Sequence, residues 1–282
     1  MPAASGDKSE VKMPNLLVKQ QGSSGRVINV TPQSADWKYV GFALHKLKSD
    51  ETVSGSSHDQ ETCLVYITGK GKAVVSNENF GELGGRMSVF DGKPWSVYIP
   101  AGKYWSVTAT TDLELAVCLA PAMKNELPVR VIKPDEIEVV TRGKGSNTRY
   151  VMNILAETDP ADSLLVVEVI TPSGSTSSYP SHKHDQNNLP HESLLEETYY
   201  HRLNPPQGFA FQRVYTDKDS NGVRELDESM AVEDGDVTLV PKGYHPCATC
   251  HGYDLYYLNV MAGPVRTWKF HNAPEHEWLL KV

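Results

Sequence analysis

Short runs rich in β-branched and aromatic residues recur along the whole chain, and Gly, Pro, Asp or Asn flank them. In the first half they include Cys63-Leu-Val-Tyr-Ile67, Ala73-Val-Val75, Ser96-Val-Tyr-Ile99 and Leu113-Glu-Leu-Ala-Val-Cys118. In the second half they include Tyr150-Val-Met-Asn-Ile-Leu155, Leu164-Leu-Val-Val-Glu-Val-Ile170, Phe209-Ala-Phe-Gln-Arg-Val-Tyr215, Val237-Thr-Leu-Val240 and Leu255-Tyr-Tyr-Leu-Asn-Val260. Such runs read as strands, and many short strands between turns point to an all-β sandwich or barrel. The 21 glycines and 18 prolines supply the turns, and no long amphipathic helical period runs through the chain.

A weak internal repeat organises these strands. Pro100-Ala-Gly102 lies between two of them, and Pro241-Lys-Gly243 lies likewise in the second half; Gly92 introduces the first and Gly235 the second. We read two copies of one β-barrel, which 282 residues accommodate. Residues 1–15 read as a flexible tail, 16–125 as an N-terminal barrel and 126–282 as a C-terminal barrel, with strands open to exchange across the boundary.

The formal net charge of −8 argues against a nucleic-acid binder, whose affinity rests on a basic surface. No apolar run approaches the ~18 residues that span a bilayer, and the first residues lack the apolar core of a signal peptide. With no export signal, the four cysteines are expected to be reduced thiols in the cytoplasm. Cys247-Ala-Thr-Cys250-His251 spells the haem-attachment motif, but that chemistry needs export, so we read a loop with two free thiols.

The chemistry concentrates in three pieces. In Ser181-His182-Lys183-His184-Asp185, strand alternation turns His182 and His184 to one side and Lys183 to the other, toward solvent. Glu197 begins the strand Glu197-Thr-Tyr-Tyr-His201. The third piece, Gly235-Asp-Val-Thr-Leu-Val-Pro241-Lys-Gly243-Tyr-His245, is a strand ending in a tight turn with His245 immediately after it. Three imidazoles and a carboxylate suit zinc, iron, manganese, nickel or copper, with room left for substrate. Glu196 adjoins Glu197 and competes for the ligand role; Glu197 is preferred.

This pattern resembles the paired cupin motifs, although the loop from His184 to Glu197 is long and only Tyr244 separates Gly243 from His245. A more specific resemblance lies in Cys63-Leu-Val-Tyr, Ser88-Val-Phe-Asp-Gly-Lys-Pro94, Gln207-Gly-Phe-Ala210, Gln212-Arg-Val-Tyr-Thr216 and Tyr253-Asp-Leu-Tyr-Tyr-Leu-Asn-Val-Met-Ala-Gly-Pro264. These strings are similar to the 5-deoxy-glucuronate isomerase family of bacterial myo-inositol catabolism, from about Leu16 to Trp278. The resemblance implies a bicupin of two jelly-roll barrels and a cytoplasmic, metal-dependent sugar-acid isomerase acting on a small sugar acid. Neither nucleic acid nor membrane is an expected partner, and the oligomeric state is open to homo-oligomers. One divalent ion, zinc first with manganese, iron or nickel as alternatives, falls to His182, His184, Glu197 and His245. The first barrel departs from the metal pattern: only His58 and Glu61 precede or begin its strand, and Trp105 stands where a ligand histidine would fall. It reads as metal-free.

The implied reaction is an aldose–ketose isomerisation through an enediol(ate). Tyr199 and His201 share the parity of Glu197 and join Tyr257 as candidates for moving the proton; a surface imidazole is the alternative for His201 and core packing for the tyrosines. For the substrate carboxylate, Arg213 is the first candidate, because a cation among apolar strand residues wants a partner; a structural salt bridge is its alternative. Arg149 and Lys183 follow. Competing functions are the 4-deoxy-uronate ketol-isomerase of pectin breakdown, a cupin dioxygenase and a non-catalytic binding bicupin.

Overall fold

The computed structural model describes residues 15–123 and 127–281, so the tail over 1–14 and the 125/126 boundary lie outside the described residues. Regular structure there is almost entirely strand, with the single turn Pro32–Ala35 and three 3₁₀ segments as the only helix. A six-stranded sheet runs Arg130–Ile132, Ser96–Ile99, Gln60–Thr68, Leu113–Pro121, Gly41–Leu47, Gly25–Val30. It packs on a four-stranded sheet of Thr52–Ser56, Tyr104–Ala109, Lys70–Val75 and Glu78–Gly84. A seven-stranded sheet runs Leu17–Val18, Val237–Val240, Glu196–Asn204, Asp254–Ala262, Leu165–Thr171, Arg149–Leu155, Val139–Arg142. Its partner has four strands, Thr176–Ser177, Cys247–Thr249, Phe209–Tyr215 and Asp227–Glu233.

The two halves trade edge strands. Leu17–Val18 pairs with Val237–Val240 in the second barrel, and Arg130–Ile132 pairs with Ser96–Ile99 in the first. An open sheet edge leaves backbone donors and acceptors unpaired, and each exchanged segment covers the corresponding edge of the other half.

Strand alternation separates the two faces of each large sheet. Leu64 and Tyr66 fill the first barrel, whereas Cys63, Val65 and Ile67 join the core shared between the barrels. In Glu196–Asn204 the same rule sends Tyr200 onto Phe42 of the other half, ring centroids 5.9 Å apart, and Arg202 onto Glu114. Tyr199, one residue away, turns into the second barrel beside His245.

Two glutamates hold the halves together in matching ways. Glu61 stands opposite Ala120 and Glu196 opposite Ala262 in equivalent strand pairs. The Glu61 carboxylate accepts backbone N–H bonds from Asp162 (2.7 Å), Ser163 (2.5 Å) and Leu164, and the Tyr98 hydroxyl donates to it at 2.6 Å. Glu196 accepts from the backbone of Lys38 (2.7 Å), Tyr39 (2.6 Å) and Val40 (3.1 Å). Glu61 is therefore no remnant ligand: it faces out of its barrel, and Thr62 holds the register that Glu197 holds in the second, since Thr62 pairs with Ile99 as Glu197 pairs with Val240. Trp105 packs within the first barrel so tightly that a Cβ on Gly55 would come within 2.5 Å of the indole.

A buried ion pair adds to the junction. Arg86 donates to both oxygens of Glu168 at 2.7 and 2.9 Å, and Tyr256 donates to the same carboxylate at 2.8 Å.

Candidate active site

The Glu196–Asn204 strand, the turn after Val237–Val240 and the segment around His182–Lys183 converge inside the second barrel. Ligand atoms of His184, Glu197 and His245 lie within 4.8 Å of one another, all buried. His184 Nε2 is 3.1 Å and His245 Nε2 is 3.2 Å from the same oxygen, Glu197 Oε2. Each ring is oriented from behind by a backbone carbonyl: His184 Nδ1 lies 3.0 Å from Leu195 O, and His245 Nδ1 lies 2.8 Å from Gly243 O. A carbonyl only accepts, so each Nδ1 carries a proton; the His245 ring, kept neutral by burial, turns a lone pair from Nε2 toward the carboxylate, while His184 Nε2 lies within hydrogen-bond reach of it. His245 Nε2 is buried and forms no hydrogen bond.

The buried His245 lone pair aimed at the carboxylate lacks an attractive partner, and a cation shared with Glu197 and His184 would supply one. Ligands at about 2.0–2.1 Å in tetrahedral geometry stand about 3.3 Å apart, which the observed separations approach. The residues thus fit a divalent transition ion. Burial holds His245 down to about 4. Burial also opposes charge on His184, but the hydrogen bond and charge of Glu197 outweigh it and raise the pKa.

His182 flanks this trio. Its ring centroid is 5.0 Å from that of His245 and 6.3 Å from that of His184, and Phe270 packs on it at 4.7 Å. Burial and the two other imidazoles hold it well below the usual imidazole range. Glu196 faces the opposite side of its strand, committed to the backbone of residues 38–40.

Lys183 does turn away from the trio, but it is buried rather than solvated. Its ammonium lies 3.1 Å from Asp185 and 2.8 Å from Asp217. The Tyr244 hydroxyl donates to Asp217 (2.9 Å) and Gly243 N to Asp185 (2.9 Å). This network ties the histidine segment to the His245 turn from outside. Its cover is His271–Asn272, which pairs with His182–Lys183 from far along the chain.

An inner cavity of about 30 Å³ is lined by His182, Glu197, Tyr199, Tyr257, Arg142 and Arg149, among others. That volume holds about one water, so a larger guest requires the wall to move. The Tyr257 hydroxyl is 2.6 Å from Ser177 Oγ, and that of Tyr199 is 3.0 Å from Ser178 Oγ. Burial raises both phenols above their ordinary values.

Two further expectations are corrected. His201 is neither a surface imidazole nor part of the cavity wall: it is fully buried behind Tyr199, with Nε2 3.0 Å from Gln212 Oε1 and 3.2 Å from Thr238 Oγ1. Arg213 lies on the outer face of Phe209–Tyr215, where Ala210, Gln212 and Val214 take the inward positions. Its guanidinium makes two 2.7 Å hydrogen bonds to Asp227 and stacks over Tyr215. The structural salt bridge accounts for it, and it does not meet the cavity.

Arg142 is a wall residue that the sequence reading missed. Its signal was the stretch Arg142-Gly-Lys-Gly-Ser-Asn-Thr-Arg149, two strand ends around a glycine-rich turn, which reads as a hairpin. Cys247 is buried and its thiol is pushed up to about 12, which leaves it protonated and unreactive at neutral pH.

Comparison with known proteins decides the relationship. The model of the KduI/IolB family matches residues 16–279. The chain belongs to the KduI/IolB family. Curated relatives include "5-deoxy-glucuronate isomerase" of Geobacillus kaustophilus, 55% identical over 91% of this chain and 91% of that protein. The protein of that name in Bacillus subtilis strain 168 is 49% identical over 90% and 93%. An IolB-like protein of Salmonella typhimurium LT2 superposes with a TM-score of 0.90 at 52% identity, covering 94% of this chain and 99% of that one. Oxalate decarboxylase of Lactobacillus farciminis, 12% identical with a TM-score of 0.61 over 95% and 90%, shares the bicupin fold. Among the described residues, no helix is long and apolar enough to cross a membrane.

Proposed function

We propose that the chain is a metal-dependent 5-deoxy-glucuronate isomerase, converting 5-deoxy-D-glucuronate to 5-dehydro-2-deoxy-D-gluconate in cytoplasmic myo-inositol catabolism. One observation carries this reading: 55% identity, over 91% of both chains, to a protein of that name. In the reaction a proton leaves the hydroxyl-bearing carbon next to the aldehyde and one is delivered to the aldehyde carbon. The two oxygens exchange carbonyl and hydroxyl character through an enediol(ate), and no oxidant is consumed.

The proposal assigns one divalent ion to His182, His184, Glu197 and His245, zinc first with manganese, iron or nickel as alternatives. When bound, such an ion supplies Lewis-acid stabilisation of negative charge on the substrate oxygens. The chain's own hydroxyls supply protons. Tyr199 and Tyr257 stay protonated at neutral pH because burial raises their pKa values, so they act as hydrogen-bond donors to those oxygens rather than as free bases. Each is coupled to a serine, which gives its proton a second site during transfer.

Relative kcat/KM on 5-deoxy-glucuronate and on the pectin-derived 4-deoxy-uronate tests the substrate, with preference for the first expected and preference for the second overturning the assignment. Oxygen uptake during turnover would instead identify a dioxygenase. Homo-oligomerisation belongs to the same proposal and is checked by light scattering.

A further inference from the structure

Arg142 and Arg149 stand directly opposite one another where Val139–Arg142 pairs with Arg149–Leu155. Like charges in register across a strand pair repel, and the arrangement costs stability unless something compensates. Several other arginines of the chain meet carboxylates: Arg86 meets Glu168, Arg202 meets Glu114 and Asp234, and Arg213 meets Asp227. Among the described residues neither Arg142 nor Arg149 has an ion-pair partner. Arg149 spends only Nη1, which donates to Asn147 O (3.0 Å) and Oδ1 (3.1 Å). Its Nε and Nη2 have no hydrogen-bond partner there. Among the described residues, the Arg142 guanidinium meets only the face of Trp268, 5.4 Å from the ring centroid. Burial, and the charge of Arg142 beside it, lower the pKa of Arg149 below the ordinary guanidinium value.

Both side chains line the inner cavity with His182 and Glu197. Arg149 also borders an outer cavity of about 640 Å³, bounded by the 143–147 turn and by Tyr179 and Pro180. It therefore stands where the wide outer space meets the inner wall. A guanidinium with free, coplanar donors matches a carboxylate in shape and charge, and a second guanidinium alongside doubles the demand for an anion.

We infer that Arg142 and Arg149 form a two-guanidinium clamp for the substrate carboxylate and set the preference of this site for sugar acids over neutral aldoses. The inference rests on the isomerase reading above. The reacting carbons then lie toward Glu197 and the imidazoles, and the acid end lies at the mouth.

The test compares wild type with Arg149→Gln, Arg142→Gln and Arg149→Lys, using 5-deoxy-glucuronate and its neutral counterpart 5-deoxy-glucose. The readout is the ratio of kcat/KM for acid over neutral sugar. Loss of a hydrogen-bonded charge pair should lower this ratio about 10- to 100-fold in each Gln variant, chiefly through KM for the acid. Arg149→Lys should recover part of the preference, because charge is kept and the bidentate geometry is lost. Arg213→Ala, on the outer face, should leave the ratio unchanged. An unchanged ratio in both Gln variants overturns the clamp. If the wild type isomerises neither sugar, the isomerase reading fails on its own, and the clamp is read by calorimetric titration with D-glucuronate. Binding weakened at least about 10-fold in both Gln variants supports it; equal binding, or none in the wild type, overturns it.

Discussion

Glu61→Gln isolates the junction between the barrels from the chemistry. Glu61 is fully buried and its two oxygens receive four donors: three backbone N–H groups of residues 162–164 and the Tyr98 hydroxyl. Glutamine keeps the shape and one acceptor oxygen, but its amide NH₂ faces donors where the second oxygen was. Two of the four bonds are lost. A hydrogen bond to a charged group contributes about 1.5–3 kcal/mol, so the expected destabilisation is about 3–5 kcal/mol after relaxation, the range for breaking a buried charged interaction. For a chain of this size that lowers the melting temperature on the order of 10 °C, which circular dichroism during heating reads directly. Isomerase kcat at 25 °C should hold within about twofold, because the side chain points away from Glu197 and His245. A melting temperature within about 2 °C of wild type would refute this reading of the Glu61 junction. A collapse of kcat with stability intact would move Glu61 into the chemistry.

Three further outcomes are expected. Glu197→Gln should leave the fold in place, lower bound metal below one ion per chain by elemental analysis, and reduce kcat by about 100-fold or more, the scale of several kcal/mol of lost charge stabilisation; full metal content with full activity would remove Glu197 from the site. His201 is held down to about 4 by burial. The unfolded chain therefore binds its proton first, and the stability from keeping this ring neutral is complete above pH 6.5 and lost as pH falls toward 4. In urea unfolding, His201→Gln should weaken that acid sensitivity by up to about 1.4 kcal/mol per pH unit, and an identical pH profile would contradict it. Arg213→Ala should change stability by no more than about 1 kcal/mol, since its ion pair is exposed, and should leave kcat/KM unaltered.

The sequence carried the barrel pair and the core of the candidate site because both rest on local rules. Period-2 alternation, proline–glycine turns and the His-x-His, Glu and Pro-x-Gly-x-His strings need no knowledge of distant contacts. The run of six residues between Glu197 and the turn at Asn204 favoured Glu197 over Glu196, although only the structure gave Glu196 its reason, the backbone of residues 38–40. The failures arose where a face is decided by a segment from elsewhere. Lys183 was expected in solvent because nothing nearby hinted that His271–Asn272 returns to cover it. His201 was weighed as a strand-end surface ring because the strand was read as ending there, whereas it runs on to Asn204 and keeps the ring deep in the barrel. Arg213 drew attention as a cation in an apolar run, yet the four-stranded sheet exposes its outer face, where such a residue finds Asp227. Arg142 escaped notice because the strands read in the second half began at Tyr150, whereas Val139–Arg142 forms a short edge strand before it.

The central claim is that a metal-dependent sugar-acid isomerase resides in the second barrel. It is tested most directly by following purified protein with 5-deoxy-glucuronate in D₂O by proton NMR, with and without a chelator. The account expects the aldehyde and hemiacetal signals to give way to the keto acid, deuterium to enter at the former aldehyde carbon, and chelation to stop the conversion. Unchanged substrate in the presence of folded, metal-loaded protein would contradict it.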